Sequence, residues 1–397
     1  MATRPLTSSA EQDLNVPAHP ARVRDEVGWR PRPTLTGADY SSHAVYDEER
    51  ERIFHAGWFC IGRADEVASP GEYLVRDVAG ESVFAVRNRA GQLRAFYNVC
   101  AHRGTRLLDD GPGCGQLGKA LKCPYHAWSY DYDGRLLATP NVHEDELFDR
   151  ADYPLNAVAV DEFAGFLFVN LSESPRPLRD HLLDSNETIT DFDRYRMSEL
   201  RLGRRITYDV AANWKIVVEN YNECLHCPTI HPELVSVIPL YRQGDVWDGE
   251  TRDGGNLMFE GATSFTATGT SDLPKFPDLL PEDYGMYYGA FQFPNLMVNL
   301  HPDSVMAYLV YPNGPARTTV ISEFYFRPEA LALPGFDPSP TVELWDIVSR
   351  QDWVVCERAQ LGVSSRGFRG GVYPRKDRLL FDFNERWRRA MGRPLVG

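Results

Sequence analysis

Short alternating runs dominate the first half of the chain. Glu72-Tyr73-Leu74-Val75-Arg76-Asp77-Val78 and Glu81-Ser82-Val83-Phe84-Ala85-Val86-Arg87 flank a turn at Ala79-Gly80, and Leu93 to Val99 follows a turn at Ala90-Gly91. Ser129 to Tyr132 and Arg135 to Ala138 flank Asp133-Gly134. Strands of this length and spacing, punctuated by such turns, predict a small antiparallel β domain. Ahead of them, Asp47 to Trp58 reads as a short helix with Ile53, Phe54 and Trp58 toward its apolar side. Val158 to Leu171 is strongly apolar and reads as strand, with a domain boundary expected at residue 165.

The second half mixes periods. A proline-bearing connector, Pro175 to Arg179, overlaps a helical pattern from Leu178 to Tyr195. Leu200 to Ala211 reads as a strand that enters a helix from Trp214 to about His226. Pro228 and Pro232 must end that helix, which places His231 in the turn after it. Residues 244–290 are rich in Gly, Asp, Ser, Thr and aromatics without clear period, and are expected to form a pocket loop. Leu296 to Leu300, Ser304 to Tyr311 and Thr318 to Phe326 predict successive strands of one sheet, and Pro340 to Gln360 a long helix. The expected fold is α+β: a leader over 1–39, an antiparallel β domain over 40–165, and an α+β domain over 166–397 with an antiparallel sheet and a long C-terminal helix. No internal repeat is visible.

Composition narrows the functional classes. The 397 residues suit two domains, and 43% hydrophobic with 25% charged residues is ordinary for a globular protein. A net charge of −14 argues against sequence-independent nucleic-acid binding. No apolar run approaches the ~18 residues of a membrane span, and Met1 to Pro20 has no apolar signal core. The expected location is the cytoplasm. Seven cysteines show no disulfide framework, and Cys224 and Cys227 are expected to be structural thiols on a packed helix.

Two short pairs carry the first chemistry. Cys100-Ala101-His102 is followed after twenty residues by Cys123-Pro124-Tyr125-His126. Two thiolates and two imidazoles can hold zinc, or a 2Fe-2S cluster with the cysteines on one iron and the histidines on the other. The spacing favours the cluster. Zinc knuckles tend to pair cysteines closely, whereas here each loop offers one sulfur and one nitrogen. Both loops sit at strand ends, where backbone N–H groups can point at sulfur.

A second constellation begins at Asn213-Trp214-Lys215 and runs through Glu219, Asn220, Glu223, His226 and His231. Glu223 and His226 are close to one helical turn apart and would share a helix face. Two histidines and one distant carboxylate make the facial triad of a non-haem Fe(II) oxygenase, which leaves positions open for oxygen. Histidines five apart are otherwise common helix residues. The cluster motif beside them gives the pattern its weight.

Together these motifs, with Cys123-Pro124-Tyr125-His126-Ala127-Trp128 and Gln351-Asp352-Trp353-Val354-Val355-Cys356-Glu357, resemble the alpha subunits of Rieske non-haem iron oxygenases, from about Tyr40 to Trp387. The resemblance implies Cys100, His102, Cys123 and His126 as cluster ligands and His226, His231 and Asp352 on a mononuclear Fe2+. It implies Glu223 as an acid bridging His226 to His126 of the partner subunit, hence a head-to-tail homotrimer. Asn220 would orient ligands or oxygen. Three features depart from the common pattern: the bridging acid is Glu rather than Asp, the segment around Gly111 to Gly115 is long, and Asn384 stands where a His is usual. The Glu resembles the branch that oxidises quaternary amines such as glycine betaine and carnitine.

Electrons must come from outside. The chain has no dinucleotide-binding glycine motif after a strand and no plant-type ferredoxin cysteine run, so a separate flavin/ferredoxin-type reductase fed by NAD(P)H is expected. The expected activity is oxygen-dependent hydroxylation or N-dealkylation of a small quaternary ammonium compound. Phe259, Phe265, Tyr284, Tyr287, Tyr288 and Phe291 are candidates for a cation–π pocket, although aromatic-rich stretches are more often core. Aromatic ring hydroxylation or O-demethylation is the alternative, and a bare Rieske electron carrier would not need the second domain.

Overall fold

The computed structural model describes residues 29–109, 114–140, 142, 148–183, 193–246 and 255–396. The expected leader lies mostly outside them. Its described end is tied down: β1 (Arg32–Pro33) pairs with a strand near the C-terminus, and Leu35 is buried. Helices α1 (Gly37–Ser41) and α2 (His43–Glu49) follow, and α2 runs into a π-helical turn over Arg50–His55. The expected helix at 47–58 is therefore shifted toward the N-terminus and changes its winding.

The next strands are β2 (Phe59–Arg63), β3 (Glu72–Val78), β4 (Glu81–Arg87), β5 (Leu93–Tyr97), β6 (Cys114–Gln116), β7 (Leu121–Lys122), β8 (Ser129–Tyr130), β9 (Leu136–Ala138), β10 (Ala157–Phe163) and β11 (Phe166–Asn170). β3 and β4 have the expected bounds. Ala79 and Gly80 both have positive φ (49° and 98°), the two-residue turn that matches strand twist in a tight hairpin. Seven strands form one antiparallel sheet in the order β2-β11-β10-β5-β4-β3-β6, and β7-β8-β9 form a small separate sheet. The apolar stretch 158–171 is a hairpin rather than one strand, because Ala164 and Gly165 turn the chain at φ 51° and 76°. The boundary expected at residue 165 falls inside this hairpin. β11 pairs with both β10 and β2, so the first sheet continues through Asn170.

The second part contains α3 (Leu178–Leu183), β12 (Arg201–Val210), α4 (Trp214–Tyr221), α5 (Cys227–Ile230), α6 (Pro232–Val237), β13 (Asn256–Leu257), β14 (Met286–Gln292), β15 (Leu296–Leu300), β16 (Val305–Pro312), β17 (Thr318–Phe326), α7 (Pro328–Leu331), α8 (Ser339–Val363), β18 (Val372–Tyr373) and α9 (Arg378–Ala390). The helix expected over 178–195 is described only to Leu183 and as a 3-10 turn at Asp193–Tyr195. Six strands form an antiparallel sheet in the order β12-β17-β16-β15-β14-β13. β15 and β16 are buried along their whole length, and β16 touches both α4 and β2. Strands covered on both faces lose the alternation of a half-exposed strand, which explains their continuous apolar runs.

The two parts share one core. A single buried cluster joins Phe59, Ile61 and Phe166 from the first sheet to Val310 and Phe324 from the second and to Trp214 from α4. A buried charge network crosses the same junction. Arg205 on β12 pairs with Glu323 on β17 and reaches Glu66 at 2.7 Å, while Arg76 on β3 lies 3.6 Å from Glu66. A second core under the small sheet contains Cys100, Cys123, Trp128 and Tyr130. Behind α4, Glu49 accepts from Lys215 Nζ (2.5 Å), Trp214 Nε1 (3.0 Å) and Trp387 Nε1 (2.6 Å), tying α2, α4 and α9 together. The motif residues Trp214 and Lys215 thus hold the iron-site helix in place.

Candidate metal centres

The two cluster loops are built alike. The Gly104 N–H donates to the Cys100 carbonyl (3.0 Å) and the Ala127 N–H to the Cys123 carbonyl (3.1 Å). Each tight turn closes on a left-handed residue, Gly104 at φ 70° and Ala127 at φ 61°. Both cysteines are buried and unbonded. Burial pushes the Cys100 thiol up, and the hydrogen bond from Tyr130 works against that. His102 stacks on Trp128 at 4.5 Å and its ring lies 4.7 Å from that of His126. Among the described residues the His126 Nδ1 is buried without a hydrogen-bond partner. A buried nitrogen with an unused lone pair beside two free thiols fits a cluster ligand set.

Tyr130 was not legible as a site residue. Its hydroxyl accepts from the Ala101 N–H (3.1 Å) and lies 3.2 Å from Cys100 Sγ. With its oxygen occupied as acceptor, its proton is free for the sulfur.

The second centre forms where α4 ends. The helix expected to reach His226 stops at Tyr221, and Asn222 caps it. The reason is local. Cys224 and Cys227 are joined as a disulfide, and Pro228 starts the short α5, so the chain turns between them. The expectation that both were thiols on a packed helix is corrected by this bond. Glu223 and His226 therefore meet across a turn instead of along a helix face: Glu223 Oε1 lies 2.5 Å from His226 Nδ1, and Oε2 accepts the His226 backbone N–H at 3.3 Å. His231 sits between α5 and α6, in the turn expected for it.

Three atoms converge. His226 Nε2 is 3.1 Å from His231 Nε2, His231 Nε2 is 2.9 Å from Asp352 Oδ1, and His226 Nε2 is 3.3 Å from Asp352 Oδ1. Such edges belong to one face of an octahedron with metal–ligand bonds of about 2.1 Å. The protonation pattern makes a cation necessary. Glu223 takes the Nδ1–H of His226. Gln351 Oε1 takes that of His231 at 2.7 Å, its amide fixed by donation to Glu233 at 3.0 Å. Both Nε2 atoms then point lone pairs at the Asp352 carboxylate. Burial alone would hold the His226 imidazolium back, but bonds to Asp352 and Glu223 outweigh it and push His226 up to about 10. Burial would raise the Asp352 carboxyl, and the two imidazoles hold it below its ordinary range. The site demands positive charge.

Gln351 and Glu233 were missed by the sequence reading. The signal available was chemical: a metal-bound histidine needs an acceptor for its other nitrogen. Asn220 Nδ2 lies 3.5 Å from His226 Nε2, at the edge of hydrogen-bond reach.

The expected pocket aromatics do not gather at this triad. Phe265 stacks on His301 at 4.6 Å and Trp345 at 4.9 Å. Phe291 packs on Phe293 and Phe383. Tyr288 bonds Asp283 and lies under Arg194 at 5.8 Å, Phe259 packs on the main core, and Tyr284 is exposed. Only Tyr287 leads toward the site. Its hydroxyl and that of Tyr221 both donate to Asn299 Oδ1, at 2.7 and 2.9 Å, and Tyr221 faces Tyr308 at 6.3 Å. The irregular region that was to supply the pocket is only partly described, and its later part is the strand β14.

Known proteins share this arrangement. Residues 57–159 match the Rieske 2Fe-2S domain, and residues 197–393 match the ring hydroxylating alpha subunit catalytic domain. The carnitine monooxygenase oxygenase subunit of Acinetobacter baumannii is 33% identical over 348 residues, covering 87% of this chain and 88% of that one. The chain belongs to the Rieske non-haem iron oxygenases. Another relative of this Rieske oxygenase, the glycine betaine monooxygenase oxygenase subunit of Chromohalobacter salexigens, is 30% identical over 366 residues, 85% of this chain and 80% of that one. A solved quaternary ammonium Rieske monooxygenase in complex with gamma-butyrobetaine superposes with a TM-score of 0.67 at 30% identity, covering 86% and 88% of the two chains. Naphthalene 1,2-dioxygenase from Rhodococcus sp. shares the fold at a TM-score of 0.67 and 19% identity, over 90% and 94% of the chains. As a Rieske oxygenase the protein is an oxidoreductase with a 2Fe-2S cluster and a mononuclear Fe2+, acting on a small molecule with O2. Among the described residues no helix is long and apolar enough to cross a membrane.

Proposed function

We propose that this Rieske oxygenase is the terminal component of a multicomponent monooxygenase that hydroxylates a quaternary ammonium compound of the betaine, carnitine or choline type beside its nitrogen. The observation that carries the reading is Glu223 on Nδ1 of His226, a glutamate at the bridge position, in a chain whose relatives are named for carnitine and glycine betaine. Tyr221, Tyr287 and Tyr308 support it. Tyr221 and Tyr287 meet at Asn299, Tyr221 faces Tyr308 at 6.3 Å, and the Asp352 charge acts on Tyr308, so three aromatic faces are grouped where a carboxylate of the triad is felt. Such faces hold a methylated ammonium by cation–π attraction. They replace the pocket expected from Phe259, Phe265, Tyr284, Tyr288 and Phe291.

In this reading Cys100, His102, Cys123 and His126 hold the cluster, and His226, His231 and Asp352 hold Fe2+. When bound, the two centres supply electrons one at a time and a site for O2. Glu223 keeps the Nδ1–H of His226 in place. Its remaining lone pairs can accept an N–H from His126 of the partner subunit. The motif resemblance supports a bridge made between chains, in a homotrimer. Asn220 orients groups at the His226 edge of the site. One oxygen atom enters a C–H bond next to nitrogen and the other leaves as water, consuming two electrons and two protons. The resulting carbinol then loses a tertiary amine and releases an aldehyde and a proton. A separate flavin/ferredoxin-type reductase, drawing on NAD(P)H, supplies the electrons, and a cytoplasmic location fits that supply.

The test is oxygen uptake and aldehyde release with a surrogate reductase against glycine betaine, carnitine, choline and methoxylated aromatics. Turnover of a quaternary ammonium compound is expected. Turnover of the aromatics with none of the ammonium compounds would overturn the substrate class.

A further inference from the structure

A line of oxidisable rings leads away from the iron ligands. Trp353 directly follows Asp352 on α8. Its ring lies 5.9 Å from that of Tyr308, which burial and the Asp352 carboxylate push well above the usual phenol range, and 5.8 Å from that of Tyr208 on β12. Tyr308 and Trp353 are buried, and so is the Tyr208 ring, but the partners of Tyr208 reach water. Its hydroxyl donates to Asp346 Oδ1 at 2.6 Å, and the exposed Arg350 guanidinium lies over its ring at 5.7 Å and pairs with Asp346 at 3.0 Å.

The proton partners along this line differ in a directed way. The Tyr308 hydroxyl faces only the neutral Ser349 Oγ, at 2.5 Å. Among the described residues Trp353 Nε1 is buried with no hydrogen-bond partner, so an oxidised indole there keeps its proton and remains a relay. Tyr208 alone has a carboxylate waiting. Burial opposes the charge on Asp346, but Arg350 and the Tyr208 hydroxyl hold its carboxyl below its ordinary range, so it is ionised and can accept a proton. A phenol that loses an electron becomes a very strong acid, and an ionised carboxylate in hydrogen-bond contact makes it the preferred resting place for the missing electron.

We propose that Tyr308, Trp353 and Tyr208 form an electron-relay route that discharges oxidising equivalents from the mononuclear iron to the surface at Asp346 when oxygen is reduced with no substrate in place. This rests on the iron site described above. One electron leaves Tyr208 and passes through Trp353 and Tyr308 to the oxidised iron site. The phenolic proton moves to Asp346 in the same step, leaving a neutral tyrosyl radical. An external thiol or ascorbate returns one electron, and Asp346 gives the proton back. The route spares the ligands His226 and His231 and the pocket tyrosines from oxidation.

Freeze-quenching of the reduced, iron-loaded enzyme with O2 and no substrate tests this. A tyrosyl radical signal is expected by electron paramagnetic resonance in the wild type, and it should vanish in Tyr208→Phe. Asp346→Asn, at the surface, should weaken it strongly while iron content stays unchanged. Peptide mapping of Trp353→Phe after the same treatment should show several-fold more oxidation at Tyr308, Tyr221 and His226 per O2 consumed. A radical that survives Tyr208→Phe unchanged, or O2 consumption with no radical and equal damage in all variants, would overturn the route. Absence of bound iron at the triad would overturn the site reading and the route with it, and iron analysis of the same samples tells the two failures apart.

Discussion

Gln351 decides which nitrogen of His231 carries the proton, just as Glu223 does for His226. Gln351→Leu should therefore weaken iron binding by about 10–100-fold while the cluster spectrum is unchanged, because the Nε2 lone pair is no longer held inward. Metal titration against a chelator checks it. Asp352→Ala should lose the mononuclear iron entirely and keep the Rieske spectrum. Glu343, Asp346 and Glu357 share its helix, but Asp346 is committed to Tyr208 and Arg350, and Glu357 reaches the Ala211 N–H at 3.1 Å. At the cluster, Tyr130→Phe removes a hydrogen bond to Cys100 Sγ and should lower the reduction potential, measured by redox titration of the visible spectrum. The proposed metal ligands could be picked out in the sequence because the chemistry restricts them to a few residue types at short spacing. Gln351, Glu233 and Tyr130 could not. Each acts through a contact made across the fold, and a glutamine or tyrosine alone carries no spacing signal.

Helix α4 is anchored by polar groups buried under it. Glu219, near the end of α4, is half-buried and accepts from the Tyr40 hydroxyl at 2.8 Å and the Tyr373 hydroxyl at 3.2 Å. Burial is the main cause that lifts its carboxyl to about 7, against hydrogen bonds and Lys215 that favour the charge. Folded protein thus binds this proton more tightly than unfolded chain, whose carboxyl titrates at about 4.3. Stability should fall as pH rises between those values, by an amount approaching about 3 kcal/mol above pH 7. Glu219→Gln should flatten the dependence of Tm on pH between 5 and 8, seen by thermal unfolding at a series of pH values. The strands around these helices were the most legible elements. β3, β4 and β17 have the expected bounds because turn residues frame each run. The helix at Trp214 was read too long, since its end is set by the Cys224–Cys227 bond and the turn it closes, which a periodic pattern does not show. The pocket is less legible: Phe265 and Phe291 of the aromatic-rich stretch pack on His301, Trp345 and Phe383, while Tyr287 of the same stretch meets Tyr221 of α4 at Asn299.

At the scale of the whole molecule, the first sheet and the second are fixed to each other by a shared core and by the Arg205, Glu323, Glu66 and Arg76 charges. Glu323 is 1% exposed, so Glu323→Ala takes away the buried partner of Arg205 and leaves it Glu66 alone; it should destabilise the fold, by less than the about 3–5 kcal/mol of a fully stranded buried charge, measured by denaturant unfolding. In the proposed trimer Glu223, at the His226 Nδ1, serves two different polypeptides, which has a genetic meaning. A chain with Cys100→Ser lacks a cluster but keeps its iron, and a chain with Asp352→Ala lacks iron but keeps its cluster. Each is dead alone. Co-expressed in equal amounts, they should assemble into mixed rings in which an intact cluster faces an intact iron at about a quarter of the junctions. Two null alleles of one gene would complement each other, and one such mutant copy would leave the activity of a wild-type copy undiminished, because every wild-type centre still faces an intact partner centre.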